Sequence, residues 1–262
     1  MFFDLWMSAA VVTFAFVSAV WLLSLALGDS SIVDIFWGLG FVAIAWFVDA
    51  AVPGEPAPRA RLLAWLVTIW GIRLSAYILW RNWGRGEDYR YRAWREQAGG
   101  AWWWRSYFKV FLLQGAIMWI VAAPVVAVAG QGRPAPLGWL DALAVAVWAV
   151  GFAFESLGDW QLARFKADPA NKGRLMTSGV WRCTRHPNYF GDAAVWWGHY
   201  LAAAASGAWL TVFGPALMTF LLVRVSGVAM LETALRETKP GYREYMETTS
   251  AFFLRPPRRR AS

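Results

Sequence analysis

Apolar residues in this chain come in blocks of about 20, the length of helix that crosses the hydrocarbon core of a bilayer. Hydrophobic residues make up 58% of the 262 residues and charged residues only 16%, whereas a soluble domain carries about 25% charged residues. The pattern therefore predicts an all-α polytopic membrane protein with seven transmembrane helices. The candidate spans are residues 5–27, 32–51, 61–80, 107–129, 138–162, 190–205 and 208–229.

The first block has an alternative interpretation as a cleaved signal peptide. It opens with MFFDLWM, without the basic residues that start a signal peptide, and it is longer than the apolar region of one. We therefore expect the first block to be the first span.

Basic clusters indicate how the spans are oriented. They occupy residues 81–109, 164–185 and 224–260, and each follows an odd-numbered span. The positive-inside rule therefore predicts that the N-terminus lies outside and the C-terminus in the cytoplasm, with a bacterial inner membrane as the expected location. This topology accounts for the net charge of +8, so we expect no nucleic-acid partner.

The sequence offers little for metal or nucleophile chemistry. Cys183 is the only cysteine, and His186 and His199 are the only histidines, so we expect no metal site. Gly-rich phosphate loops and the H-E-x-x-H and G-x-S-x-G motifs do not occur. The inner segments 81–106 and 163–189 are longer than turns require. The aromatic residues of the first segment fit either an interfacial belt or a pocket.

Ionisable side chains inside or at the rim of the spans are costly in lipid and are candidates for function. They are Asp34, Arg73, Glu155, Asp159, Asp192, His199, Arg224 and Glu232. Glu155 and Asp159 are four residues apart and share one face of the fifth span, which extends to Lys166. The alternative is a pair at the helix end that reaches water. His199 is more typical of a packing group than of a catalyst.

Asp34 is the most isolated of these side chains, because its sequence neighbours in IVDIFW are apolar. Desolvation favours the neutral form of a carboxyl group, which can then donate a hydrogen bond to a substrate carbonyl. An ion pair with Arg73 that serves helix packing is the other interpretation. The sequence leaves both interpretations open.

Three segments of the second half resemble the steroid 5-alpha-reductase family. They are FESLGDWQLARFK (154–166), TSGVWRCTRHPNYFGD (177–192) and KPGYREYMETTSAFFLRPP (239–257). With the loop WRNWGRGEDYRYRAWR (80–95) and the stretch DIFWGLGF (34–41), the resemblance covers most of the chain. It implies one reductase domain over 1–262, with a specific cofactor-binding half, 107–262, and a more loosely matching substrate-side half, 1–106.

The resemblance implies a monomeric, integral membrane oxidoreductase. It would transfer hydride from NADPH to the C=C bond of a conjugated enone lipid, with a 4-ene-3-ketosteroid as the expected substrate, at a site that faces the cytoplasm. Arg174, beside Lys172, suits the 2′-phosphate of NADPH because guanidinium groups bind phosphate in a bidentate fashion. The implied cofactor-binding residues are Glu155, Asp159, Lys166, Arg174, Arg185, His186, Asn188, Tyr189, Asp192, Glu232 and Tyr245.

The acid group is where this chain departs from the resemblance. The family uses a glutamate in the second span, matched here by Asp34, and a tyrosine in the third span, where this chain has Trp70. We therefore expect Asp34 to act alone or with Tyr77, two turns further along. Trp37 and Trp70 are the expected substrate-binding residues.

Two other functions fit parts of the pattern. Membrane methyltransferases of the isoprenylcysteine or phospholipid type, which use S-adenosylmethionine, carry a similar R-H-P-x-Y-x-G turn and a C-terminal glutamate. A membrane scaffold or transporter is the third possibility. Transport is disfavoured because the charges gather at cytoplasmic ends of helices and not at mid-membrane.

Overall fold

The computed structural model describes residues 1–55, 57–131, 136–225 and 227–256, and no β-strand occurs within these ranges. The α-helices in them are α1 (Phe2–Leu27), α2 (Ile32–Ala51), α3 (Pro58–Asn82), α4 (Tyr89–Ala98), α5 (Trp102–Ser106), α6 (Leu113–Val121), α7 (Ala123–Ala129), α8 (Trp139–Ala167), α9 (Pro187–Ala205), α10 (Phe213–Phe220), α11 (Val228–Thr238) and α12 (Tyr242–Thr248). The all-α class predicted from the apolar blocks is confirmed for this part of the chain.

Fewer helices than predicted have the length and apolar composition of a membrane span. Among the described residues, α1, α2, α3 and α8 qualify, and a fifth span results if residues 89–121 and α7 are one crossing with a bend of 50°. Pro124 lies just after that bend, where it lacks an amide donor and crowds the carbonyl four residues earlier.

The sixth and seventh predicted spans correspond to α9 and to a shorter apolar helical stretch, Trp209–Val225. Seven crossings and the predicted orientation therefore stay predictions. Residue 226 of the seventh predicted span and residues 257–260 of the last basic cluster lie outside the described residues.

One compact unit comprises Met1–Gly138 and Ala202–Gly214. In this unit α2 and α3 approach each other through glycines: a Cβ atom on Gly38 would lie 2.4 Å from the carbonyl oxygen of Gly71. Small residues at such a contact let two helix backbones pack directly. Phe41 and Trp70 fill the same contact, with ring centroids 5.7 Å apart, and both side chains are buried.

Helices α1 and α6 of this unit are joined by a reciprocal tryptophan pair. The rings of Trp6 and Trp119 stack with centroids 4.3 Å apart. Each indole N–H donates to the other residue's carbonyl oxygen, at 3.3 Å from Trp6 and 2.7 Å from Trp119. This contact places α6 in the first unit, which extends to Gly138 before the second unit begins. The functional halves expected from the sequence, 1–106 and 107–262, divide the chain at a different point.

The second unit comprises Trp139–Leu201 and Pro215–Ser262, and within it α8 and α9 approach each other through glycines. A Cβ on Gly191 would lie 2.4 Å from the amide nitrogen of Glu155, and a Cβ on Gly151 would lie 2.6 Å from the carbonyl oxygen of Gly191. The helix α9 begins at Pro187, as the proline at the start of its apolar run predicts. Gly191 thus brings the start of α9 against the acidic face of α8.

We expect Gly191→Ala to destabilise the protein by about 1–3 kcal/mol, because the added methyl group overlaps backbone atoms that cannot move away cheaply. The midpoint of thermal unfolding in detergent, followed by tryptophan fluorescence, measures this loss. Gly100→Ala is the matched control, because a Cβ there meets no atom within 4 Å. Equal unfolding midpoints for the two variants would contradict the close α8–α9 contact.

Candidate functional site

Asp34 lies in the first turn of α2 and is held by two neighbours from α4. The hydroxyl of Tyr91 donates to Asp34 Oδ1 at 2.8 Å. Arg90 Nη2 lies 3.2 Å from Asp34 Oδ2 and forms an ion pair with it. The Tyr91 side chain is buried in a cluster that includes Val33 and Phe111. Asp34 is therefore a paired carboxylate beside a buried phenol, and not the isolated acid that its apolar neighbours suggest.

The segment before α4 places Arg90 and Tyr91 at this carboxylate. Asp88 caps α4, because its side chain accepts the backbone N–H of Arg90 at 2.9 Å. Glu87 accepts the backbone N–H of Ser30 at 2.7 Å, just before α2 begins. Arg95 of α4 binds the same Glu87 carboxylate at 2.8 and 2.9 Å. Residues 87 and 88 thus fasten the start of α4 to the start of α2.

The two acids of this segment are ionised at neutral pH. Burial alone would raise the pKa of Glu87, but hydrogen bonds from Arg95 and from the Ser30 amide outweigh it and lower that pKa. Burial likewise opposes ionisation of Asp88, and the contacts with Arg90 lower its pKa in the same way. Both carboxylates therefore act as fixed negative charges that hold arginines.

The residues expected to assist Asp34 or to bind substrate belong to α2 and α3 of the first unit. The ring of Tyr77 lies between the guanidinium groups of Arg73 and Arg81, at 5.6 and 5.7 Å from its centroid. Trp70 is completely buried, and Trp37 packs edge-on against Phe41. The described hydrogen bonds of Asp34 are with the phenol of Tyr91 and the guanidinium of Arg90, and the predicted roles of Tyr77 and Arg73 stay predictions.

Sequence reasoning placed Tyr91 in an inner segment and missed its contact with Asp34. A usable signal was present, because Asp88 precedes a stretch of good helix formers, which is the pattern of a capped helix. Gln114 adds a further contact, since its Nε2 lies 3.4 Å from the Tyr91 hydroxyl.

In the second unit, the acidic face of α8 meets the start of α9. Asn188 Nδ2 donates to Asp159 Oδ1 at 3.3 Å. Glu155 and Asp159 are both buried, so they do not form the water-exposed helix-end pair that was the alternative interpretation. Lys166 and Arg174 lie exposed beyond this face. Asp192 follows Asn188 by one turn of α9 and is half-buried.

The Arg185 side chain binds α11 and the C-terminal segment of the second unit. Its guanidinium donates four hydrogen bonds: two to Glu232 Oε1, at 2.6 and 2.9 Å, one to the Met246 carbonyl at 3.1 Å, and one to the Thr249 carbonyl. Its backbone N–H donates to the Ser250 carbonyl at 2.9 Å. The RHP turn thus binds the main chain of the C-terminal segment.

Three further hydrogen bonds complete this attachment. The Thr184 hydroxyl donates to the Ala251 carbonyl at 3.2 Å, and the Arg255 amide donates to the Cys183 carbonyl at 3.0 Å. The Tyr245 hydroxyl donates to the Trp181 carbonyl. We call residues 242–255 the docked tail. Arg185 and Tyr245, two of the predicted cofactor ligands, therefore hold this tail.

Glu232 is the charged partner on which the docked tail depends. Burial would raise its pKa, but His186 and Arg185 outweigh burial, and the pKa of Glu232 is lowered. His186 Nε2 lies 3.4 Å from Glu232 Oε1, and the His186 ring stacks on Tyr189. Burial, reinforced by the negative charge of Glu232, raises the pKa of Tyr242 to about 12, so this phenol is neutral at physiological pH.

Two other features of the described residues, His199 and the Asp49–Arg61 ion pair, belong to neither of these clusters. His199 is completely buried against Trp196, as a packing group would be. A surface cleft lies at the far end of α2, where Asp49 pairs with Arg61 at 3.1 Å. Asp49 is 15 residues along α2 from Asp34, which is about 22 Å of helix. No group of three or more potential metal ligands occurs in the described ranges.

The long apolar helices and the polar clusters at their ends are those of an all-helical membrane protein. The chain belongs to the family described as "Protein of unknown function (DUF1295)", whose model matches residues 20–249. Among curated proteins it is similar to uncharacterized protein C594.04c of Schizosaccharomyces pombe. The two are 27% identical over 247 residues, which cover 84% of this chain and 67% of that protein. No solved structure matches the chain.

Acid is expected to release the docked tail. The pKa of Glu232 in the folded protein lies below its ordinary value of 4.5, so its ionised form stabilises docking above that value. This stabilisation is lost as the pH falls through the folded-state pKa. Hydrogen exchange of residues 242–255, measured from about pH 7 down to about pH 3, reports the loss.

Two variants test the assignment of this response. Glu232→Gln should expose the tail already at neutral pH and should remove most of the acid response. Arg243→Gln, which changes an exposed charge on the tail itself, should retain the behaviour of the unmodified protein. An acid response of normal size in Glu232→Gln would show that another group controls docking.

Proposed function

We propose that the protein is an integral membrane oxidoreductase that transfers hydride from NADPH to the C=C bond of a conjugated enone lipid. A 4-ene-3-ketosteroid is the substrate class to test first. The observation that carries the proposal is the hydrogen bond of 2.8 Å between the Tyr91 hydroxyl and Asp34. A carboxyl group paired with a phenol is the acid arrangement that the steroid 5-alpha-reductase resemblance implies.

Reduction of an enone needs such a group because negative charge develops on the ketone oxygen when hydride arrives at the β-carbon. A preorganised hydrogen-bond donor at that oxygen stabilises the charge most strongly where water is excluded. Tyr91 is a buried donor of this kind, and Asp34 fixes its orientation. Arg90 adds a positive charge 3.2 Å from the carboxylate, which favours the same developing anion.

The second unit offers groups that suit a dinucleotide. Buried carboxylates such as Asp159 accept hydrogen bonds from ribose hydroxyls or an amide N–H, and the Asn188 amide can both donate and accept. Exposed Lys166, Lys172 and Arg174 fit phosphate groups. Arg185 and Tyr245 do not fit direct contact with a nucleotide, because both bind the docked tail. NADPH, when bound, would supply the hydride.

The chain's own residues would carry the remaining steps. In the reactive arrangement the Tyr91 hydroxyl would turn its one proton from Asp34 to the ketone oxygen. Asp34, having taken up a proton, would donate it to the Tyr91 oxygen as the Tyr91 proton passes to the product. Gln114, 3.4 Å from the phenol, would limit its rotation. Apolar helix surfaces would bind the steroid-like body of the substrate and exclude water. The positions of the basic loops favour a nucleotide site on the cytoplasmic side, and we propose that the protein acts as a monomer.

Nucleotide binding provides the first test. Protein purified in detergent should carry NADP(H), identified by mass spectrometry, and Asn188→Ala should weaken NADPH binding by about tenfold through loss of a hydrogen bond to a charged or polar partner. Asn82→Ala, at the end of α3, is the control and should bind normally. Copurified S-adenosylhomocysteine would overturn the reductase in favour of a membrane methyltransferase.

The acid pair provides the second test. Asp34→Asn and Tyr91→Phe should each lower kcat for 4-ene-3-ketosteroid reduction by about 10²–10³-fold, the usual effect of removing a donor to a developing oxyanion. NADPH affinity should stay within about twofold, because the substitutions lie outside the nucleotide-binding residues. Tyr77→Phe is the matched control. Turnover that survives Tyr91→Phe but fails with Tyr77→Phe would contradict the pair.

A further inference from the structure

The segment between α3 and α6 presents a surface that the proposed reaction does not use. We call the outward side of residues 81–109 the basic–aromatic surface. Its exposed basic side chains are Arg81, Arg85, Arg92, Arg105 and Lys109. Its exposed aromatic side chains are Trp83, Tyr89, Trp103, Trp104 and Phe108. In a protein of this kind, five exposed aromatic rings in one short segment need an apolar partner.

The charges of this segment are sorted between its two sides. It contains seven basic residues and three acidic ones. Glu87 and Asp88 turn inward, where they bind Arg95 and Arg90 at 2.8 and 2.9 Å. Glu96 is therefore the one acid among the segment's exposed side chains, against five exposed cations, which leaves an outward charge of +4. The inward ion pairs thus create the positive outer surface.

Cations and rings of this surface also contact each other. The Arg105 guanidinium lies 5.5 Å from the Trp104 ring centroid, and Lys109 Nζ lies 4.2 Å from that of Trp94. Tryptophan rings settle at the level of lipid headgroups, where neighbouring cations reach phosphate oxygens. Basic clusters directly after a spanning helix bind anionic lipids for this reason, and α3 ends at Asn82, inside the segment.

We infer that the basic–aromatic surface binds the phosphate headgroups of anionic phospholipids. Part of the surface lies on α4, the helix that carries Tyr91 of the acid pair, because Tyr91 is buried and Arg92 is exposed there. Bound lipid therefore holds α4 from its outer side while Asp34 and Glu87 hold it from within. Anionic lipid slows backbone hydrogen exchange in residues 89–98. This inference stands whether or not the protein is a reductase.

Reconstitution of the full chain into nanodiscs tests the inference. Nanodiscs of phosphatidylcholine with increasing phosphatidylglycerol should retain phosphatidylglycerol on the protein, as measured by native mass spectrometry, and should slow exchange in α4. The variant Arg85→Gln/Arg92→Gln/Arg105→Gln should lose preferential retention by about tenfold or more, because each cation at a membrane surface contributes severalfold to binding. Raising the salt concentration should weaken retention in the unmodified protein.

The matched control removes the same number of exposed arginines from the second unit, as Arg182→Gln/Arg243→Gln/Arg255→Gln. It should keep the preference for phosphatidylglycerol. Equal retention in both triple variants, or equal loss, would overturn the assignment to this surface. If the first triple variant does not fold, Arg85→Gln and Arg85→Lys replace it, and only the lysine variant should keep retention. Slowed α4 exchange with inorganic phosphate in pure phosphatidylcholine would instead assign a free-phosphate site.

Discussion

Among the described residues, ionisable side chains at the ends of the apolar helices are held by opposite charges and, at Arg185, also by main-chain carbonyls. Moving an ion from water into an apolar environment costs roughly several kcal/mol, unless a close partner replaces the lost hydration. Asp34 has Arg90, Glu87 has Arg95, and Glu232 has Arg185. These pairings decide where the short polar helices lie, since each draws a loop or a terminal segment against the end of an apolar helix.

Close backbone contact supplies the second ordering principle. Lipid tails give little advantage to burying one apolar side chain rather than another, so helices in a bilayer associate where small residues allow dense packing. Gly38 and Gly71 do this in the first unit, and Gly151 and Gly191 do it in the second. In the second unit the contact has a chemical consequence, because it brings Asn188 within hydrogen-bonding distance of Asp159.

The sequence predicted the elements with strong local signals and missed the contacts that join distant ones. The apolar blocks predict α1, α2, α3 and α8 because each block is long enough to cross a bilayer and carries few charges. The spacing of Glu155 and Asp159 predicts a shared helix face for the same local reason. The Tyr91–Asp34 bond joins residues 57 positions apart, and it depends on a cap at Asp88 and an ion pair at Glu87. The sequence suggested that Arg185 binds an anionic cofactor. In the structure its acceptors include carbonyl oxygens of the docked tail, which no local sequence pattern connects to Arg185.

The docked tail is recognised by its backbone more than by its side chains. The RHP turn and its neighbours bind the carbonyl oxygens of Met246, Thr249, Ser250 and Ala251. Carbonyl oxygens are the same in every amino acid, so substitutions at these four positions leave the acceptors in place. Insertion or deletion of a single residue shifts every acceptor out of register at once. The tail of this protein is therefore constrained in length far more strictly than in composition.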